Sequence, residues 1–111
     1  DYSPEHKKIV MEWLADVRQK YKYSKITLRY TLDLFSRFLA VKPVSTTVVQ
    51  GYSIACMVIT TRITEQNSLT LKRASSVTAH SSSISEIYEY CLDIIRTLDG
   101  LLWLPLESLE K

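Results

Sequence analysis

The chain has 111 residues, of which 46% are hydrophobic and 23% are charged, and its formal net charge is +2. This length fits one domain with a buried core, the composition excludes a wholly disordered chain, and the small, mixed charge is unlike that of nucleic-acid-binding proteins. Two glycines and three prolines are too few for a turn-rich β fold or a glycine-rich phosphate loop, so we expect an all-α fold.

The first two predicted helices have clear caps and a 3.6-residue apolar period. Pro4 and Glu5 follow a Ser3 cap and begin a helix over about 4–21, and Ser24 caps a second helix over about 24–40. The predicted buried stripes are Val10, Trp13, Leu14, Val17 and Tyr21 in the first helix, and Leu28, Thr31, Leu32, Phe35, Phe38 and Leu39 in the second.

The third predicted helix, over about 45–64 with Ser45 as its cap, has no charged residue between Pro43 and Thr61. Its many Ser and Thr side chains argue against a membrane span, whereas a helix surrounded by other helices has this composition. We therefore expect it to be the centre of the domain.

Two more helices are predicted, over about 69–79 and about 83–98, and the second of them starts at a capping box formed by Ser83 and Glu86. Gly100 ends this helix, and an extended tail follows over 100–111. Residues 1–111 are thus predicted to form one domain. The expected buried face of the fifth helix is Ile84, Ile87, Cys91, Ile94 and Leu98.

Cysteines and histidines are the residue types that would carry metal or redox chemistry. Cys56 and Cys91 form no C-x-x-C pair, and His6 and His80 have no partner at a catalytic spacing. We expect no enzymatic activity, metal, cofactor or small-molecule substrate, and a reducing location in the cytoplasm, the nucleus or both.

Four segments of this pattern resemble the N-terminal cyclin box in order and spacing. Residues 6–14, ending in Trp13 and Leu14, are similar to M-R-x-I-L-x-x-W-L, and residues 32–39 resemble the motif ending in D-R-F-L. Residues 50–62 are similar to L-Q-L-V-G-x-A-A-M-L-x-A-S-K, and residues 94–98 with Pro105 resemble I-L-K-T-L and its proline. The similarity covers about 4–106 and implies a five-helix cyclin-box fold with a central third helix.

The chain departs from the family pattern at two charged pairs. Lys7 and Ser36 occupy positions where cyclins pair an arginine with an aspartate, so the salt bridge between the first two helices is absent. Arg62 and Cys91 occupy the positions of the lysine and glutamate that hold the kinase. Arg62 keeps the positive charge of this pair, whereas Cys91 lacks the negative one. Glu86 or Glu89 could supply the acid if the register of the fifth helix were shifted. These departures indicate a divergent member of the cyclin family.

The resemblance implies a regulatory subunit that binds a cyclin-dependent kinase through helices three and five, and that docks short peptides on helices one and three. The expected kinase-facing residues are Ile59, Arg62, Ile63, Glu89, Ile95 and Leu102, and the expected peptide-docking residues are Ile9, Trp13, Asp16, Val49 and Gln50. Plain core packing is the competing interpretation of the isoleucines, Trp13 and Cys91.

The alternative function is a cyclin-fold scaffold without kinase activation, docking partners through the apolar residues 101–106. In either case the partner is a protein kinase or another protein subunit, and neither a nucleic acid nor a membrane. A DNA-binding domain like that of transcription factor IIB is disfavoured because Glu5, Glu12 and Asp16 offset the basic residues of the first helix.

Overall fold

A computed structural model describes residues 4–98 of the chain, which form five α-helices and no strand. The helices are α1 (Pro4–Lys20), α2 (Lys25–Val41), α3 (Val49–Thr64), α4 (Leu71–Val77) and α5 (Ile84–Thr97). The centre of the domain is α3, which packs against each of the other four helices. The predicted all-α, five-helix fold is therefore confirmed.

The central helix has no charged residue over most of its length because it is almost entirely covered. Every residue over 53–61 is buried, and an unpaired charge there would lose its hydration without compensation. Three of its hydroxyl groups donate to carbonyl oxygens of the same helix, as when Ser53 Oγ donates to the Gln50 carbonyl oxygen at 2.8 Å. None of the helices over 4–98 is long and apolar enough to cross a bilayer.

Of the four predicted caps, two are present, one is wrong, and the one at Ser3 lies outside the described residues. Ser24 caps α2, and Ser83 with Glu86 forms the capping box of α5. In contrast, α3 begins only at Val49, and Ser45 is not its cap. The Ser45 hydroxyl instead bonds the Thr47 hydroxyl at 2.7 Å, within a turn that precedes the helix.

The fourth helix is shorter than predicted. It starts after Thr70, whose side chain accepts a hydrogen bond from the Arg73 N–H at 3.1 Å. It ends at Val77 because Ala79 and His80 adopt positive φ angles of 54° and 61°, which no right-handed helix can include.

The buried stripes also differ in detail from the prediction. On α2, Thr27 and Leu34 are buried, whereas the predicted Leu28, Leu32 and Leu39 are only half-buried. Thr27 can be buried because its hydroxyl bonds the Thr64 hydroxyl on α3 at 2.6 Å.

On α5, Ile84 is 47% exposed, contrary to the prediction that it belongs to the buried face. It lies about 60° around the helix from Ile87, at the edge of the stripe that packs on α3. The other four predicted residues of this face, Ile87, Cys91, Ile94 and Leu98, are buried.

Two carboxylates join helices that are distant in the sequence. Asp93 on α5 pairs with Lys42 at 2.8 Å and accepts a hydrogen bond from the Tyr52 hydroxyl on α3. Glu65, at the end of α3, accepts a hydrogen bond from the Ser24 N–H at 2.8 Å and thereby caps α2. Burial alone would raise the pKa of each carboxyl, but these hydrogen bonds outweigh it and leave both pKa values lowered.

Candidate protein-docking surfaces

The last two turns of α3 and one side of α5 form a shared surface, because these helices pack against each other. Cys91 Sγ lies 3.7 Å from the Ala55 carbonyl oxygen, which marks the line of contact. Burial raises the pKa of Cys91 to about 11, and the positive charge of Arg62 opposes that shift, so Arg62 lies within electrostatic range of Cys91. We call this the α3–α5 surface, and it consists of Ile59, Arg62, Ile63, Tyr88, Cys91 and Ile95.

The three α3 residues of this surface share one side of the helix but differ in accessibility. Ile59 is buried and packs in the core, as the core-packing interpretation predicts. Arg62 and Ile63, one turn further along, are exposed. The accessible α3 residues of this surface are therefore one isoleucine next to one arginine.

The α5 side of the surface is an apolar stripe, of which the sequence predicted Ile95 as an exposed contact but not Tyr88. Tyr88 is 52% exposed and Ile95 is 41% exposed, and they lie on either side of Cys91 at spacings that share one helix face. Ile84 continues the stripe by one more turn. Tyr88 and Ile84 could have been found from their spacing, which forms a second apolar row beside the core row.

Neither candidate acid of α5 lies on this stripe. Glu86 Oε1 accepts a hydrogen bond from the Ser83 N–H at 2.8 Å and so belongs to the capping box. Glu89 is exposed but points about 100° away from Tyr88 around the helix. The shifted register that would bring either acid to Arg62 is not observed. Glu89 as a kinase contact stays a prediction, and Leu102 lies outside the described residues.

The predicted peptide-docking residues divide between α1 and α3. Ile9 is 62% exposed, Asp16 is exposed, and Trp13 between them is half-buried against the core, so all three share one side of α1. On α3, Val49 is buried in the core, and Gln50 is half-buried with Oε1 at 3.5 Å from the Ser81 hydroxyl. The accessible docking residues are therefore mainly those of α1.

Lys7 and Ser36, the pair predicted to replace a salt bridge of the family, line one cavity of about 460 Å³ between α1 and α2. The ion pair at this cavity, Asp33 with Arg37 at 3.1 Å, lies within α2 and does not join the two helices. The buried residues Val10 and Phe35 line the same cavity, so apolar packing joins α1 to α2 here.

The cysteines have the chemistry of buried packing residues. Both are free thiols, and burial raises the pKa of each, which leaves little of the nucleophilic thiolate at neutral pH. Within residues 4–98, no three His, Cys, Asp or Glu side chains come together as a ligand set for a metal ion.

Comparison with known proteins agrees with this architecture. A family model described as "Cyclin, N-terminal domain" matches residues 1–102. Cyclin-F of Xenopus laevis is 30% identical over 97 residues, which are 87% of this chain and 13% of that protein. Cyclin-F of Homo sapiens is 27% identical over the same number of residues, 97, and 12% of its length is covered.

A plant relative matches more of the chain. Cyclin-A2-2 of Arabidopsis thaliana is 26% identical over 105 residues, which are 95% of this chain and 24% of that protein. The chain thus spans about an eighth of the Cyclin-F relatives and about a quarter of this one.

Proposed function

Because the chain belongs to the cyclin family, as an N-terminal cyclin domain, we propose that it binds a cyclin-dependent kinase through the α3–α5 surface and regulates that kinase without catalytic activity of its own. One observation carries this proposal: Ile63, Tyr88 and Ile95 leave apolar area exposed on two adjoining helices, next to the cation of Arg62. Exposed apolar side chains that adjoin one another favour an interaction site over solvent.

The chemistry of the surface suits one helix of a partner. An amphipathic helix can lay its apolar side along the α5 stripe, as in other helix-in-groove complexes. Arg62 offers a planar fork of donors to carbonyl or carboxylate oxygens at one end of that helix.

Cys91 lowers the affinity that we expect between this domain and a kinase. A glutamate at its position would accept hydrogen bonds from the partner's N–H groups, and a buried thiol with a raised pKa accepts them poorly. We therefore propose that this domain binds its kinase more weakly than a cyclin with the full charged pair.

The test is the affinity of the purified 111-residue chain for a cyclin-dependent kinase, measured by titration calorimetry. Arg62→Glu and Ile95→Ala should each weaken binding about tenfold, a loss typical of removing one central interface contact. The matched controls are Arg29→Glu and Ile26→Ala, which change an exposed cation and an exposed isoleucine on α2. Undetectable binding to every kinase of the host, or equal losses in the controls, would refute the proposal.

The second candidate is a cyclin-fold scaffold that assembles a complex without activating a kinase. Within the described residues, no ion pair joins Arg62 to an acid, and this favours the scaffold, as does the predicted loss of the family's α1–α2 salt bridge. Cross-linking of the native complex separates the two functions. A scaffold should cross-link to its partners through Trp103, in the apolar segment 101–106 outside the described residues, and should tolerate Arg62→Glu.

The side of α1 that carries Ile9, Trp13 and Asp16 supports a further part of the proposal, the docking of short peptides with an apolar and a basic residue. Ile9→Ala and Asp16→Asn should weaken the binding of such a peptide without affecting kinase binding, as a fluorescence anisotropy titration would measure.

We also propose the cytoplasm, the nucleus or both as the location, which imaging of the tagged full-length protein tests.

A further inference from the structure

The end of the molecule where the α1–α2 turn meets the α3–α4 loop contains an open cavity of about 1050 Å³. Lys72 and Arg73 bring two positive charges to its lining, and Tyr21 and Tyr23 form one of its sides. Hydroxyl and amide side chains of the α3–α4 loop and α4 form the remainder. No carboxylate of the described residues lines it. The cavity is therefore rich in hydrogen-bond donors and positive in charge.

Two cations, Arg73 and Lys20, lie close to the ring of Tyr21 at this end of the molecule. The Arg73 guanidinium carbon lies 5.7 Å from the centre of the Tyr21 ring, and Lys20 Nζ lies 5.5 Å from the same centre. Cation–π attraction thus positions these side chains, and the ion pairs recorded within residues 4–98 lie elsewhere, at Asp33 and Asp93. Within the described residues, no ion pair joins Lys72 or Arg73 to an acid.

The nearest acid in the sequence is already engaged. Glu65 Oε2 accepts hydrogen bonds from the Ser24 N–H at 2.8 Å, the Ser24 hydroxyl at 3.1 Å and the Thr27 hydroxyl. These donors are neutral, so Glu65 keeps its negative charge, which acts on Tyr23 together with the positive charge of Arg73. Its hydrogen bonds are nevertheless made to the start of α2, so the donors of Lys72 and Arg73 remain available to a ligand.

We propose that this cavity binds a phosphate monoester carried by a phosphorylated serine or threonine of a partner protein. A phosphate dianion has three acceptor oxygens, which match the two cations and the hydroxyl donors around them. The side chains of Gln66 and Asn67 both donate and accept, so they can pair with the backbone of a peptide that carries the phosphate.

Charge complementarity favours a phosphopeptide over a nucleic acid. Two of the cations lie beside one ring, Lys72 lines the same cavity, and the net charge of the whole chain is only +2. A nucleic acid instead presents a long row of phosphates to an extended basic surface. This site lies outside the α3–α5 surface, so the inference does not depend on kinase binding.

The experiment titrates the 111-residue chain with a fluorescent peptide, Ala-Ala-pSer-Ala-Ala, and follows its anisotropy. The phosphopeptide should bind at least tenfold more tightly than the same peptide with Ser or Glu at the central position. Arg73→Gln should lower the affinity for the phosphopeptide at least tenfold. Lys8→Gln, which removes the same charge from an exposed site on α1, should leave its affinity unchanged. Inorganic phosphate should shift the NMR signals of the Gln66 and Asn67 amides.

Equal affinity for the three peptides would overturn the inference, and so would equal losses of affinity in Arg73→Gln and Lys8→Gln. A single-stranded RNA that binds more tightly than the phosphopeptide, and whose binding Arg73→Gln abolishes, would also overturn it. If inorganic phosphate displaces the peptide with an affinity equal to that of the peptide itself, the cavity is a site for a free anion instead. Arg62→Glu should leave phosphopeptide binding unchanged, so failure of the kinase proposal and failure of this one are separately visible.

Discussion

Gly51 on α3 lies directly against the ring of Tyr90 on α5, where a Cβ atom at position 51 would stand 2.5 Å from Tyr90 Cε2. The same atom would stand 2.8 Å from the Ser82 hydroxyl oxygen. The Tyr90 ring cannot easily retreat, because it stacks on Tyr52 with 4.3 Å between ring centres. Glycine is therefore required here by the close approach of the two helices that form the α3–α5 surface.

Gly51→Ala should destabilise the domain by about 1–2 kcal/mol, because overpacking costs about 1–3 kcal/mol and alanine's better helix propensity returns up to about 1 kcal/mol. Urea unfolding followed by circular dichroism measures this loss. In a Tyr90→Ala background the same substitution should cost at least about 1 kcal/mol less, since the ring is no longer in its way. An undiminished cost in that background would show that Tyr90 is not the obstacle.

Glu65→Gln should lower the free energy of unfolding at pH 7 by about 1 kcal/mol, the usual worth of a helix cap. The pKa of Glu65 is lowered from its ordinary value of 4.5, so its contribution is present above pH 4.5 and is lost as the pH falls through the folded-state pKa. The difference between wild type and variant should therefore shrink towards zero on acidification. Asp93 titrates in both proteins and cancels from this difference, and a pH-independent difference would contradict the prediction.

Cys91→Glu should strengthen binding to a cyclin-dependent kinase, because it places a carboxylate within electrostatic range of Arg62, at the position where the resemblance to cyclins predicts one. We expect a gain of about tenfold, the worth of one charge-assisted hydrogen bond. Cys91→Gln is the control of equal size without charge and should bind like wild type in the same calorimetric titration. If the two variants have equal affinity, the acid is not the missing contact.

Lys22→Gly should stabilise the domain by about 0.5–1 kcal/mol. Lys22 follows the last turn of α1 with a φ angle of 58°, and the Tyr23 N–H bonds the Arg18 carbonyl oxygen at 3.0 Å, which is the hydrogen bond of a Schellman cap. This left-handed conformation strains a residue with a Cβ and is free of strain for glycine. Lys8→Gly, inside α1, should instead destabilise by about 1 kcal/mol, so thermal melts of the two variants should move in opposite directions.

The outcome for α3 illustrates how far the sequence alone could predict the site. An uncharged segment predicted the central helix, and the spacing of Ile59, Arg62 and Ile63 predicted a shared face. Burial then divided that face, because Ile59 is covered by the core and Ile63 is not. Spacing cannot predict this division, since accessibility depends on how α5 lies across α3.

Local chemistry determined the number of helices, the caps at Ser24 and Ser83, and the central position of the uncharged helix. These features follow from hydrogen bonds and burial preferences within about one helical turn of each residue. Only the tertiary structure decided that Tyr88 and Ile84 stay exposed and that Glu65 caps a helix 41 residues away at Ser24. It also decided that Lys72 and Arg73 line a cavity to which no carboxylate of residues 4–98 contributes. Each of these relationships joins residues from different helices, so it exists only once the packing of those helices has fixed the distance between them.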